Sequence, residues 1–226
     1  MSRHPANPNL HLHDAGTFDG FHIQADKGPF IRQYLSRLLT TMERATAQYN
    51  RVFAFRCDLR LPAGIQLPDY AYTNKVIERF IESFKAKIEH NRTQARLRSK
   101  YAHDTQVRYV WAREIGERGR PHYHLVILLN QDAFYSVGKI ASDNENMFHR
   151  LHEAWASALR LPVDEIYGLV EVPDNATYRM SHEPRYFIKP DDADAFSKLF
   201  YRASYLCKAA TKVYGDGRHG FGCSRF

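Results

Sequence analysis

Cysteine is scarce in this sequence. Cys57, Cys207 and Cys223 are odd in number, and none stands at metal-ligand spacing from another. That pattern excludes a disulfide framework and a thiolate zinc knuckle. Long apolar runs are also missing: none approaches the ~20 residues that a membrane-spanning helix needs. The opening Met1-Ser2-Arg3-His4-Pro5-Ala6-Asn7-Pro8 lacks the apolar core of a signal peptide. A reducing cytoplasm, with no membrane partner, is the expected setting. No Gly-x-x-x-x-Gly-Lys-Ser/Thr phosphate loop occurs, so ATP-driven unwinding is not encoded.

What is present is ordinary bulk and an excess of positive charge. A chain of 226 residues, 44% hydrophobic and 25% charged, suffices for one folded domain with an appendage. The formal charge of +7 and pI near 9.3 point to a polyanionic partner, because contacts to phosphates release counterions.

The chemistry concentrates at His122-Tyr123-His124, which leads an apolar run to Leu129 after the turn-forming Gly119-Arg120-Pro121. A strand points residues two apart to one face, so both imidazoles converge. With 12 histidines in the chain, the spacing alone is weak and context must decide. The other such pair, His11-Leu12-His13, lies in a polar stretch that reads as having no strand around it. Gln106 to Ile115 and His122 to Asn130 read as the arms of a hairpin centred near Arg118. That register sets Glu114 opposite His122 on the histidine face and stacks Tyr109 and Trp111 against Leu125 and Ile127 on the other. A slip of one residue would exchange Glu114 for Arg113. Asp58 or Glu117 would then be the next candidate ligand.

Around this hairpin the chain divides in two. Residues 1–28 read as an irregular arm, and Phe30, Tyr34, Leu35, Leu38 and Met42 mark an amphipathic helix running from Pro29 towards Gln48. Residues 1–50 are thus an N-terminal arm and helical extension, and 51–226 a second domain. Arg51 to Leu61 alternates, with Phe53, Phe55, Cys57 and Leu59 inward and Arg56, Asp58 and Arg60 on a solvated outer face suited to phosphate. A long helix covers Thr73 to Ser99 and carries the densest basic cluster, from Lys75 to Lys100. Met147 to Leu159 reads as a helix and Ile166 to Val172 as a strand. Residues 173–192 read as loops with a short strand at Tyr186-Phe187-Ile188.

Asp192 or Asp194 caps a final expected helix, Ala193 to Val213. Phe196, Leu199, Phe200, Ala203 and Cys207 form its packing stripe, while Tyr201, Tyr205, Lys208 and Lys212 form a second stripe opposite. Tyrosines used only as core filler would share the phenylalanine stripe. A phenol with its pKa near about 10 is a poor nucleophile, and a lysine one turn away favours the phenolate.

Together these stretches resemble the HUH endonucleases. His122-Tyr123-His124 is similar to their His-hydrophobe-His metal motif, and Tyr205-Leu206-Cys207-Lys208 to their Tyr-x-x-Lys nucleophile motif. The order of the motifs, the upstream strand Phe53 to Leu61 and the tail Phe221-Gly222-Cys223-Ser224-Arg225 resemble the inovirus gene-two-type, or YagK/YfjJ-type, rolling-circle initiators. The resemblance implies an α+β fold with a central antiparallel sheet, similar to an RNA-recognition or palm fold, backed by helices. It implies Mg²⁺ or Mn²⁺ held by His122 and His124, with Glu114 as third ligand from the hairpin register.

The same resemblance implies nicking of single-stranded origin DNA by Tyr205, with Tyr201 as second nucleophile and Lys208 stabilising charge. Arg56, Arg60, Arg113, Arg120 and Lys212 are the expected nucleic-acid contacts. A host helicase and DNA polymerase in a bacterial cytoplasm complete the expected set of partners. Two other readings share parts of the pattern. A conjugative relaxase has the same chemistry, although the paired tyrosines and the lack of a long C-terminal domain favour the initiator. A non-catalytic DNA-binding regulator would bind without metal and form no covalent adduct.

Overall fold

The computed structural model describes residues 2–116, 119–139, 142, 145–181 and 195–225. Its strands, in chain order, are β1 (Arg3–His4), β2 (Asn7–His13), β3 (Thr17–Phe18), β4 (Phe21–His22), β5 (Phe30–Ile31), β6 (Arg51–Arg60), β7 (Arg108–Ile115), β8 (Pro121–Asn130), β9 (Val170–Glu171), β10 (Thr177–Ser181) and β11 (Phe221–Cys223). The helices are α1 (Arg32–Gln48), α2 (Lys75–Arg98), α3 (Met147–Leu159) and α4 (Ala195–Ser204). The fold is α+β, built on one antiparallel sheet ordered β10-β6-β8-β7-β11, with β9 pairing β6.

Period-two patterning places this sheet between two apolar layers. Phe53, Phe55, Cys57 and Leu59 of β6 join Trp111 of β7 and Tyr123, Leu125 and Ile127 of β8 on one face, under Phe80 and Phe84 of α2 and Trp155 of α3. Each large side chain wholly removed from water there contributes about 1.5–3 kcal/mol. Two hydroxyl and indole groups within this layer are satisfied by backbone, Tyr123 Oη donating to Thr73 O at 3.1 Å and Trp155 Nε1 to Arg60 O at 2.9 Å.

The opposite face carries small residues, Val52, Ala54, Val110, Ala112 and Val126, beneath Leu35, Leu38 and Met42 of α1 and Leu199, Phe200 and Ala203 of α4. This corrects the expected solvated outer face of β6. The face is buried because two helices lie on it, and its small residues are what let them approach. Towards one end the apolar set gives way to Arg56, Asp58, Glu114, His122 and His124, and the candidate site lies there.

Four further expectations need correction or placing. The N-terminal arm is not irregular: β2 includes His11 and His13, and it pairs with β1 and β5. Thr177–Ser181, read as loop, is an edge strand paired with Arg51 to Phe55. The strand expected from Ile166 is shorter, Val170–Glu171, because the three-ten turn Val163–Ile166 precedes it. Tyr186-Phe187-Ile188 and the Asp192 or Asp194 cap lie outside the described residues. The hairpin register is as expected, with Glu114 opposite His122, Trp111 opposite Leu125 and Tyr109 opposite Ile127.

The β11 edge is fitted to one indole. A Cβ built on Gly222 would stand 2.5 Å from the Trp111 ring, and that ring meets Tyr123 edge-on at 6.0 Å within the core. Gly222→Ala is therefore expected to overpack the interface and lower stability by about 1–3 kcal/mol. Urea denaturation measures this, and an unchanged midpoint would show that the indole yields freely.

Candidate metal centre and nucleophile segment

β8 presents His122 and His124 to the small-residue face, where β7 brings Glu114 against them and β6 brings Asp58 and Arg56. Each residue arrives by register, since paired residues of antiparallel strands share a face. Glu114 Oε2 stands 3.6 Å from His122 Nε2 and 3.6 Å from His124 Nε2. The ligand atoms of these three residues all lie within 4.8 Å of one another, close enough to converge on one cation. Among the described residues they are the only such group of three.

Asp58 is not a fourth ligand. Its Oδ1 accepts from His124 Nδ1 at 2.7 Å, and Arg56 Nη2 donates to that same oxygen at 3.1 Å. A proton assigned to Nδ1 by this bond leaves Nε2 as the free, basic nitrogen facing Glu114. Burial would lower the His124 pKa, but the bonds to Asp58 and Glu114 outweigh it and raise it above the ordinary imidazole value. Burial likewise opposes the Asp58 charge, and the His124 and Arg56 contacts win, holding its carboxyl below its usual range.

The second Glu114 oxygen serves a different purpose. Thr211 Oγ1 donates to Oε1 at 2.8 Å, Lys208 Nζ lies 3.3 Å from it and Lys212 Nζ 3.6 Å. Burial works against ionising this carboxyl, which is only 4% exposed. The two histidines, the Lys212 charge and Thr211 more than offset that penalty and hold it well below the carboxylate range. Lys212 has the reverse problem: burial pulls it down to about 8 despite Glu114.

The tyrosine segment departs from the expected helix. α4 stops at Ser204, a three-ten turn covers Tyr205–Cys207, and Lys208 leaves in extended conformation. Lys208 therefore does not stand one helical turn above the phenol. Its Nζ lies 3.6 Å from the Tyr205 ring centroid, a cation over the ring face. Tyr205 in turn meets His124 edge-on, ring centroids 5.8 Å apart. Tyr201 stays on α4 and is 45% exposed.

Of the expected nucleic-acid contacts, only Arg60 presents an exposed side chain, and it pairs with Glu171 at 2.9 Å. Arg56 turns inward to Asp58. Arg113 is buried on the Trp111 face and pairs with Asp216 at 3.0 Å, because strand alternation points it away from Glu114. Arg120 donates to the Pro62 carbonyl, and Lys212 is buried at Glu114. The basic cluster of α2 is partly neutralised by Lys87–Glu153, Arg96–Glu89 and Arg96–Asp104 pairs. Histidines 11 and 13 are engaged elsewhere, His11 Nδ1 with Gln33 and His13 Nε2 with the Thr17 carbonyl. Glu117 lies outside the described residues. Thr211 and the His124-orienting role of Asp58 were not legible as site features: the β6–β8 register brings in Asp58, and the turn that follows Tyr205–Cys207 brings in Thr211.

The profile of the YagK/YfjJ C-terminal domain family matches residues 13–224. Over 214 residues the chain is 34% identical to protein YagK of Escherichia coli (strain K12), spanning 92% of this chain and 98% of that one. It is 30% identical to YfjJ of the same strain over 206 residues, spanning 88% and 96% respectively. Among solved structures, the N-terminal nuclease domain of the minute virus of mice non-structural protein 1 aligns with 83% of this chain and 78% of its own, at 10% identity and a TM-score of 0.26.

Metal binding should carry the signature of this geometry. A raised His124 pKa stabilises the metal-free fold fully below the unfolded value of about 6.5, and that contribution is lost as pH rises through the folded value. A cation must displace this proton, so Mn²⁺ affinity is expected to climb with pH across that same range, with proton release on binding. Calorimetry in buffers of different ionisation enthalpy reads the proton, and pH-independent affinity would contradict the assignment. Asp58→Asn, which loses the charge that orients His124, is expected to weaken Mn²⁺ binding by about 10–100-fold.

Proposed function

The chain belongs to the YagK/YfjJ C-terminal domain family, and from that membership and its site we propose a rolling-circle replication initiator of the inovirus gene-two type. It nicks single-stranded origin DNA by tyrosine transesterification and later rejoins the strand. One observation carries the reading: a tyrosine ring meets a His/His/carboxylate group, with Tyr205 against His124 and Lys208 touching both Tyr205 and Glu114. A phenol beside three convergent ligands is the arrangement a metal-dependent tyrosine nuclease requires.

His122, His124 and Glu114 would hold a divalent ion, Mg²⁺ or Mn²⁺, which when bound supplies Lewis-acid polarisation of the scissile phosphate. Two imidazoles suit Mn²⁺ better than the oxygen-preferring Mg²⁺. The Tyr205 phenol gives up its proton as its oxygen forms a bond to phosphorus, the bond from phosphorus to the 3′-oxygen breaks, and that oxygen takes up one proton, so none is gained or lost overall. A 5′-phosphotyrosyl link and a free 3′-hydroxyl result, and a host polymerase can extend the latter beside a host helicase. Because the ester energy stays in the link, rejoining needs no ATP. Tyr201, exposed on the preceding turn, is the second nucleophile. Lys208 holds negative charge near the reacting group, Asp58 fixes the His124 tautomer, and Arg60 offers a phosphate contact at the mouth.

Incubation with Mn²⁺ and labelled single-stranded DNA from the neighbouring origin region, followed by denaturing electrophoresis, is expected to give a covalent protein–DNA band. Tyr205→Phe, which keeps the ring and removes the attacking oxygen, should reduce it most. Tyr201→Phe should still form the first adduct and fail in strand transfer. His122→Ala or His124→Ala should cut nicking by about 100-fold or more while leaving salt-sensitive DNA binding largely intact. Absence of an adduct with wild type, or its full retention in both phenylalanine variants, makes the non-catalytic binding protein the better description.

A further inference from the structure

The apolar stripe of the tyrosine segment runs on past Cys207, yet α4 ends at Ser204. Nothing within the segment forces that end: no proline or glycine occurs between Ala195 and Val213. Contacts reach that end from 180 residues away in the chain. Gln24 Nε2 donates to the Tyr201 carbonyl at 3.1 Å and to the Arg202 carbonyl at 3.0 Å. The Gln24 backbone N–H donates to Ser204 Oγ at 3.1 Å, and that hydroxyl donates to Tyr201 O at 2.7 Å. In a continued helix the Arg202 carbonyl would accept from the Leu206 amide, and it is here that Gln24 donates. Gln24 supplies the donors that a helix end lacks, and the chain is free to turn.

The same stretch holds the far side of Tyr205. Pro29 O accepts from the Ala209 N–H at 2.9 Å, and Phe30 forms a bridge with Lys208. Between the two grips lies the single turn Ala25–Lys27. Lys27 is raised first by its bond to Asp26 and also by the nearby Tyr205 and Tyr201.

We infer that residues 24–30 form a strap that sets the nucleophile, with Gln24 as a positioning residue that ends α4 and turns Tyr205 onto His124. The inference rests on the tyrosine reading above. It also orders the two tyrosines. Tyr201 lies within the gripped turn with its side chain on the exposed helix face, while Tyr205 follows that turn and meets His124. First attack therefore belongs to Tyr205 because of a residue in another part of the chain.

Two measurements separate the strap from the chemistry. In wild type, the Gln24 side-chain amide protons, followed by NMR, are expected to exchange slowly; free exchange overturns the strap. Gln24→Ala and Gln24→Glu, the second keeping size but losing the donors, should speed hydrogen exchange across residues 205–209 by about tenfold. In both variants adduct formation on Tyr205 is expected to fall about 100-fold in kcat with KM unchanged. Mass mapping of the nucleotide-bearing peptide should show a larger share on Tyr201, while Mn²⁺ affinity stays at the wild-type value. Unaltered exchange in the variants overturns the strap whatever the activity. Faster exchange with wild-type kcat overturns the positioning role. A wild-type protein without adduct overturns the nuclease reading and, with it, this role for Gln24, while the exchange data still judge the strap alone.

Discussion

The candidate site depends on how one buried carboxylate divides its two oxygens. Glu114 turns Oε2 to the histidines and Oε1 to Thr211, Lys208 and Lys212. Taking a carboxylate out of water costs several kcal/mol, and only a full set of donors and opposite charges offsets that. Here the offsetting groups include the two histidines and Lys208, which the proposed chemistry uses. The candidate metal ligands and the segment that carries Tyr205 are thereby tied through a single side chain. Neither half can shift without leaving the other with an unpaired charge in a dry place.

That carboxylate can be buried because the sheet is covered on both sides. β6 and β8 are apolar towards α2 and α3 and nearly so towards α1 and α4. The chemistry-bearing face is made of alanines and valines along most of its length, which draws the two covering helices down to the sheet. Polar residues enter only where that cover ends. The site is thus the rim of a core, which explains why Arg56 and Asp58 serve His124 and not solvent.

Much of this was legible in the sequence, and the part that was not has a common cause. Strand and helix periodicity located β6, β7, β8, α1, α2 and α3 because those patterns are local. A hairpin centred near Arg118 pairs Glu114 with His122, and the structure has that register; the turn and the alternation alone also admit a slip of one residue. The short strands β1 to β5 and β10 were missed because they are edge or arm segments whose order comes from neighbours. The predicted helix to Val213 failed for the same kind of reason: its end is imposed by Gln24. The charge of Arg113 suggests a phosphate contact, but strand alternation buries it on the Trp111 face, where it pairs with Asp216.

The strap's long reach along the chain has a consequence for the order in which the molecule comes apart. Contacts between residues so distant in sequence carry a large loop-closure cost and form late. The sheet and its α2–α3 layer hold the larger apolar core, whereas Gln24 itself holds the Tyr201–Ser204 turn by three hydrogen bonds at the edge of the second core. Local opening of that grip is the low-energy fluctuation, well below global unfolding. On the proposed reading, warming or mild denaturant is expected to release Tyr205 from the site while both tryptophans still report an intact core, a folded but disarmed state.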